Sequence, residues 1–302
     1  MKSSAAKRWL GAALVAAFVV SYFSPHFNRY YLGVAIDVGV AIIMAVSLNL
    51  INGYTGQFSL GHAGFMAVGG FTAAKLTLVT TNAMFPVSLL FGGLMAAVVG
   101  LIVGVPSLRL KGDYLAIVTL GFGEIIRVIF QNSPAFGSAT GLTGIPQLTT
   151  IFWTYGTAAV TVYVITSMVN STYGRGFICV HDDEVAAAAV GINPIRYKVT
   201  AFVVGAFFAG VAGALYAHQK SVMQPDGFGF IHSIDFGVMV ILGGMGNTAG
   251  VIAAAVVLTL LPEFLRQFAS YRMIIYSLLI MGLMMARPHG LFTVGKKTTA
   301  RV

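Results

Sequence analysis

Charge is what this chain of 302 residues has least of. Asp, Glu, Lys and Arg together make up 9% of it, against the roughly 25% of an ordinary soluble domain. With 57% hydrophobic residues and a mean hydropathy of +0.86, too little charge remains to coat a water-facing surface. That excludes an ordinary soluble globular fold and leaves an all-α polytopic membrane protein, embedded in lipid, of one transmembrane domain over 1–302. Cysteine is nearly absent too: Cys179 stands alone, so an intrachain disulfide and a multi-cysteine metal site are excluded. No nucleophile–base–acid constellation and no metal-ligand spacing stands out, so no catalytic centre, metal or cofactor bound by this chain is expected. The net charge of +9 does not point to nucleic acid. Lys and Arg gather in short loops beside apolar runs, which is how basic residues set orientation in a membrane.

What is present is a series of apolar runs, each near the roughly 20 residues that cross a bilayer. Candidates are Trp9–Phe23, Tyr31–Ile51, Phe58–Val79, Phe85–Val105, Tyr114–Phe130, Phe152–Val169, Val199–Ala217, a broken stretch Phe236–Leu261, and Met273–Ala286. The first follows Lys2, Lys7 and Arg8 and resembles a signal peptide, but bulky Tyr22-Phe23-Ser24-Pro25 offers no small-residue cleavage site. It is read as an uncleaved span. With the N-terminus inside, the basic loops around Arg109 and Lys111 and around Arg175, Arg196 and Lys198 are cytoplasmic. Nine full spans would put the basic tail (Arg287, Lys296, Lys297, Arg301) outside. If Gly243-Gly244-Met245-Gly246-Asn247-Thr248-Ala249-Gly250 instead joins two half-helices that enter and leave on one face, the tail returns inside. The preferred reading is about eight spanning helices plus that re-entrant element, with both termini cytoplasmic. A second half-helix near Gly53–Gly64 is the alternative.

Two spans carry small residues at every fourth position: Gly92, Ala96, Gly100 and Gly104, and Gly205, Ala209, Gly213 and Ala217. Such stripes let helix backbones approach closely. Bundle packing is the plain explanation, a sliding surface the functional one.

The run Gly53-Tyr54-Thr55-Gly56-Gln57-Phe58-Ser59-Leu60-Gly61-His62-Ala63-Gly64-Phe65 puts polar, glycine-rich chain between two apolar stretches. Lipid tolerates irregular backbone only where it lines a cavity, packs inside protein or sits at a membrane surface. Gln57, Ser59, His62 and Gly64 are therefore candidates for a substrate path, although a lone buried His is more often a packing residue. Glu124 and Arg127 lie three apart and share a helix face, so they form a candidate intramembrane ion pair. Between spans, Asp182, Asp183 and Glu184 precede a run of alanines closed by Gly191 and Pro194. This predicts a short surface helix capped by Asp182, whose small side chains call for a partner with a groove. Gly290–Thr298 approaches the phosphate-loop pattern, but Lys297 occupies the hydroxyl position and no αβ unit follows. It is expected to be a basic tail.

Several of these segments together resemble the bacterial branched-chain amino-acid ABC importer permeases. The resemblance rests on Ser47–Phe65, Leu110-Lys111-Gly112-Asp113-Tyr114, Thr140-Gly141-Leu142-Thr143-Gly144-Ile145-Pro146, Gly174–Pro194, Ala209–Tyr216 and Gly243–Asn247. It runs from about Ser47 to Phe292. The polar loop Gln131–Thr150 makes the chain similar to the LivM-type subunit in particular. The resemblance implies a type II ABC importer-like permease in the bacterial inner membrane, paired with a homologous second permease. It also implies two cytoplasmic ATPases that hold the ATP and Mg, and a periplasmic substrate-binding protein. The loop at about 171–198 would be the cytoplasmic coupling loop, with Arg175, Asp182, Asp183, Glu184, Ala188, Gly191 and Asn193 on the family pattern. Leu, Ile and Val are the implied cargo. Other amino acids, amides or urea are alternatives, as is an ion-coupled secondary carrier using Asp37, Glu124 or His62.

Overall fold

The computed structural model describes residue 11 and residues 28–80, 84–107, 113–268 and 272–286. Apart from residue 11, the candidate span Trp9–Phe23 lies outside the described residues, as do the basic loop around Arg109 and Lys111, the Gly290–Thr298 tail and both chain ends.

The fold is a helical bundle. Its elements are α1 (Arg29–Asn49), α2 (His62–Val79), α3 (Phe85–Ser107), α4 (Asp113–Gln131), α5 (Ile151–Val169), α6 (Gly174–Asp182), α7 (Glu184–Ala189), α8 (Pro194–Lys220), α9 (Phe230–Gly243), α10 (Thr248–Phe264) and α11 (Arg272–Ala286). Among the described residues six helical stretches are long and apolar enough to cross a membrane: Arg29–Tyr54, Phe85–Pro106, Tyr114–Gln131, Ile151–Val169, Pro194–Lys220 and Pro225–Gly243. α2 has 18 residues, but His62 and Lys75 dilute its hydropathy.

α8 is the central column, packed most extensively on α3 and α2. The small-residue stripes explain how, though not by meeting each other. A Cβ on Gly213 would run into the backbone of Met66 on α2, and one on Gly205 would stand 3.1 Å from Ser47 O of α1 and 2.7 Å from Ile51 Cδ1 just beyond it. The α3 stripe meets a different α8 face, through Ala206 and Gly210: a Cβ on Gly210 would lie 2.7 Å from Gly92 O. α8 therefore presents two small faces, one to α1 and α2 and one to α3, and fixes three neighbours at backbone distance.

Polar contacts register the bundle. At one end Lys220 Nζ, at the close of α8, lies 2.8 Å from Asp37 Oδ2 of α1. Tyr30, at the start of α1, donates to Glu263 near the end of α10. At this end the loop before α5 is pinned by a two-stranded antiparallel ribbon, Leu142 opposite Met223 and Thr143 opposite Val222. Beneath it Phe71 stacks on Phe130 at 4.4 Å, with Phe136 and Phe228 edge-on. The opposite end carries α6 and α7.

α9 and α10 form a hairpin. α9 has 14 residues and reaches spanning length only with the turn before it, as Pro225–Gly243; α10, with 17, is short of the roughly 20 of a full span. The hairpin starts and finishes at the Asp37–Lys220 end, and its tip at Gly244–Asn247 reaches the other. The turn there takes glycine at positive φ, Gly244 at 92° and Gly246 at 79°, a backbone region costly for other residues. The broken element thus begins at Phe230, six residues before the run the sequence marks out.

Candidate functional site

The break after α1 is not simply loop. The helix widens into a π turn over Leu50–Tyr54, then runs as irregular chain until α2 begins at His62 rather than Phe58. Thr55, Gln57 and Ser59 are buried, while Gly56 and Phe58 face out. Buried backbone must find partners, and here it does so across the bundle. Ser59 N donates to Asn52 Oδ1 at 3.2 Å, Leu60 N to Thr119 Oγ1 of α4 at 3.0 Å, and Ala63 N to Ser233 Oγ of α9 at 3.1 Å. From the hairpin tip, Gly246 N donates to Asn49 Oδ1 at 2.9 Å, and the Tyr54 and Thr248 hydroxyls lie 2.8 Å apart. The π turn also touches α6, and Gly56 (φ 67°) packs beside His181. One irregular segment thereby joins α1, α4, α6 and the α9–α10 hairpin.

His62 is fully buried, with Nε2 2.8 Å from Ser47 Oγ. Ser47 donates its own proton to Met44 O, so it accepts from His62. This assigns the proton to Nε2 and leaves Nδ1 an acceptor. Asn49 Nδ2, Gln57 Oε1, Ser59 Oγ and His62 Nδ1 are buried without a protein partner. Gly64 is different in kind: a Cβ there would stand 3.0 Å from Gly123 Cα, so it seats α2 on α4. All four path candidates are buried within this chain. Asn49→Leu removes the acceptor for Gly246 N and is expected to destabilise by about 1–3 kcal/mol, the cost of an orphaned buried donor. Thermal unfolding in detergent measures it.

Between α5 and α8 the sequence suggests one helix capped by Asp182; there are two. Asp182 ends α6, and Asp183 is the cap, its Oδ1 accepting from Val185 N at 2.8 Å and Ala186 N at 3.0 Å. α6 continues through Asp182 because its Phe177 face is buried, edge-on to Tyr197 at 5.6 Å, while Tyr173 stacks on Tyr197 at 4.5 Å. Gly191 (φ 85°) closes α7 and Asn193 caps α8 through Arg196 N. Arg175, Asp182, Asp183, Ala188, Gly191 and Asn193 are exposed. Glu184 instead turns inward, 2.6 Å from Lys198 Nζ, whose side chain is 10% exposed. Val185 and Val190 stand out at 70% and 76% exposure. Lys198→Met leaves Glu184 without its cation and is expected to cost about 1–3 kcal/mol, below the range for a fully buried pair because Glu184 is partly solvated. Differential scanning fluorimetry of the purified protein, beside Glu184→Gln/Lys198→Met, tests it, with the double variant expected to recover most of the loss.

Glu124 and Arg127 are 2.7 Å apart, and Arg127 also reaches Asp226 Oδ1 at 2.9 Å. Gln131 donates to the same oxygen, and Phe230 N donates to Glu124 Oε1 at 3.1 Å. The pair ties α4 to the turn that launches α9. Sequence spacing did not mark His232 and Asp235, which lie on the outer surface of α9. Their only signal is a carboxylate just ahead of an apolar run.

A bundle of long apolar helices around a buried break, with two short helices projecting at one end, is the architecture of a multi-pass membrane protein. The chain belongs to the family of ABC transporter permeases described as "Branched-chain amino acid transport system / permease component", which matches residues 30–286. This is a family of transport proteins rather than of enzymes. The chain is 33% identical to the high-affinity branched-chain amino acid transport system permease protein LivM of Escherichia coli (strain K12), over 92% of this chain and 74% of that one. It is 25% identical to the probable branched-chain amino acid transport permease protein LivM of Methanocaldococcus jannaschii, over 70% and 74%. It is 26% identical to the L-arabinose transport system permease protein AraH of Escherichia coli (strain K12), over 81% and 76%.

Proposed function

We propose that this chain is a translocating subunit of an ATP-driven importer that carries leucine, isoleucine and valine across a bacterial inner membrane by alternating access. The observation that carries the reading is the mechanical connection between the α6–α7 loop and the α9–α10 hairpin: both touch the break, so a push on one displaces the other. The 33% identity to LivM over most of the chain supports the cargo. In this reading eight full spans, including 9–23, and the re-entrant α9–α10 hairpin put both termini in the cytoplasm.

Two ATPases, holding the ATP and Mg that this chain does not, dock on α6–α7. Arg175, Asp182, Asp183, Ala188, Gly191 and Asn193 shape that surface, Val185 and Val190 supply its apolar contact, and Glu184 braces it from behind. A homologous second permease completes the pathway, and a periplasmic binding protein delivers cargo at the Asp226 end. ATP binding draws the ATPases together, α6–α7 follow, and Gln57, Ser59 and His62 exchange partners as the break moves. Their unpaired atoms make that exchange less costly, because a fully bonded joint would resist it. Shifting the equilibrium requires that ATP bind the two states with different affinity.

The test is uptake of labelled L-leucine, urea, acetamide and L-arabinose by proteoliposomes holding the purified complex. ATP-dependent uptake of leucine above the others supports the reading. Uptake of leucine driven by a proton or sodium gradient without ATP would replace it with the ion-coupled carrier.

A further inference from the structure

Among the carboxylates whose side chains are described, Asp235 is the one that no hydrogen bond from the described residues holds. Asp37 has Lys220, Glu124 and Asp226 have Arg127, Glu184 has Lys198, Asp182 has His181, Glu263 has Tyr30, and Asp183 caps a helix. The nearest charged neighbour of Asp235 is His232, 3.8 Å away and past hydrogen-bond reach, and the two side chains are 41% and 55% exposed.

Their position is what makes this unusual. Ser233, between them in sequence, accepts from Ala63 N in the first turn of α2. From Ala63 to Val79 that helix rises about 24 Å, most of the roughly 30 Å hydrocarbon core. Asp235 lies two residues further along α9, inside the stretch Pro225–Gly243 that is long and apolar enough to cross a membrane. Charged side chains in such a stretch face a water-filled cavity or a partner rather than lipid. The rest of the uncovered face is apolar and branched. Ile231 is 73% and Ile234 36% exposed, and Val238 and Ile241 continue the same stripe, half-buried, at three- and four-residue spacing.

We infer that this stripe is the wall along which cargo passes, and that Asp235 receives the α-ammonium group of an amino acid whose branched side chain lies on Ile234, Val238 and Ile241. The inference rests on the transport reading above and relocates the contact with cargo from the break to α9. The chemistry is complementary: an unpaired carboxylate accepts from a primary ammonium, and a branched aliphatic surface fits a branched aliphatic chain. A neutral sugar offers no such cation. The polar atoms of the break are enclosed by their own chain, whereas Asp235 is 41% exposed on a side that the described residues leave free. His232, one turn earlier, stands beside the carboxylate within reach of the cargo's own carboxylate.

The experiment uses the complete transporter in proteoliposomes and compares wild type, Asp235→Asn and Asp235→Glu for L-leucine uptake, ATP hydrolysis, subunit composition and melting. Alongside, an Asp235→Cys variant in a Cys179→Ser background is exposed to a membrane-impermeant thiol reagent. The expected result is that Asp235→Asn lowers uptake about tenfold to a hundredfold, the loss of one charge-assisted hydrogen bond. Subunit composition and melting stay unchanged, Asp235→Glu retains a measurable part of the uptake, and the introduced thiol is labelled from water. Wild-type uptake by Asp235→Asn overturns the inference. So does its failure to assemble with the second permease, which would make Asp235 a bridge between subunits, or a thiol that stays unlabelled. If the wild-type complex takes up no amino acid at all, the transport reading itself falls, and labelling still reports whether the α9 face meets water.

Discussion

Gly213→Leu is expected to be the most destabilising single change in the bundle core. A Cβ at this position already meets the carbonyl of Met66 and comes within 3.0 Å of Gly70 N, and both are backbone atoms that no rotamer change can move. On the other side of the same helix, Gly210 lies against α3, so α8 cannot slide away from α2 without losing that contact. Overpacking a flexible core costs about 1–3 kcal/mol. Here four heavy atoms are forced against main chain, so at least about 3 kcal/mol is expected, a fall in apparent melting temperature on the order of 10 °C. Thermal unfolding of the detergent-purified protein measures it. Gly237→Ala is the contrast: a Cβ there meets nothing within 4 Å, and melting within about 1 °C of wild type is expected for such an open site.

Val185→Asp combined with Val190→Asp is expected to leave the fold intact and abolish ATP-driven uptake. Neither side chain packs against its own chain; their exposures of 70% and 76% make them the most prominent apolar groups on the α6–α7 loop. Burying a valine against a partner contributes about 1.5 kcal/mol or more, and burying an unpaired aspartate in its place costs further. Two such changes weaken docking by roughly a hundredfold or more. Unchanged melting with ATPases lost on purification is the expected pair of observations. Unimpaired uptake would move the docking surface elsewhere. Charge reversal at Glu184 is a poorer probe, because it places like charge beside Lys198 at the root of the loop.

How much of this was legible in the sequence varies with the kind of constraint. The break at Gly53–Phe65 stood out because polar backbone in lipid has few solutions, and its interior polar residues are indeed buried. Its partners did not, since Asn49 to Gly246 and Ala63 to Ser233 are contacts between distant segments. The small-residue stripes announced close approach but not to what. The second face of α8, through Ala206 and Gly210, lay hidden among many other small residues. Adjacent acids at 182 and 183 left the capping residue ambiguous, and burial of the Phe177 face on Tyr197 decided it. Glu184 and Lys198, fourteen apart, meet only because α7 folds back on α8. Asp235 carries little signal because it stands one residue ahead of the apolar run Phe236–Leu261, and its exposure on α9 is a property of packing alone.

The measurement that tests the central claim most directly is affinity isolation of the tagged chain from its native membrane, with every bound subunit identified and its stoichiometry determined. An ABC permease of this kind predicts one homologous second permease and two ATPases per assembly, the ATPases released by the Val185→Asp/Val190→Asp variant. A stable homo-oligomer with no ATPase, still transporting leucine, would contradict it.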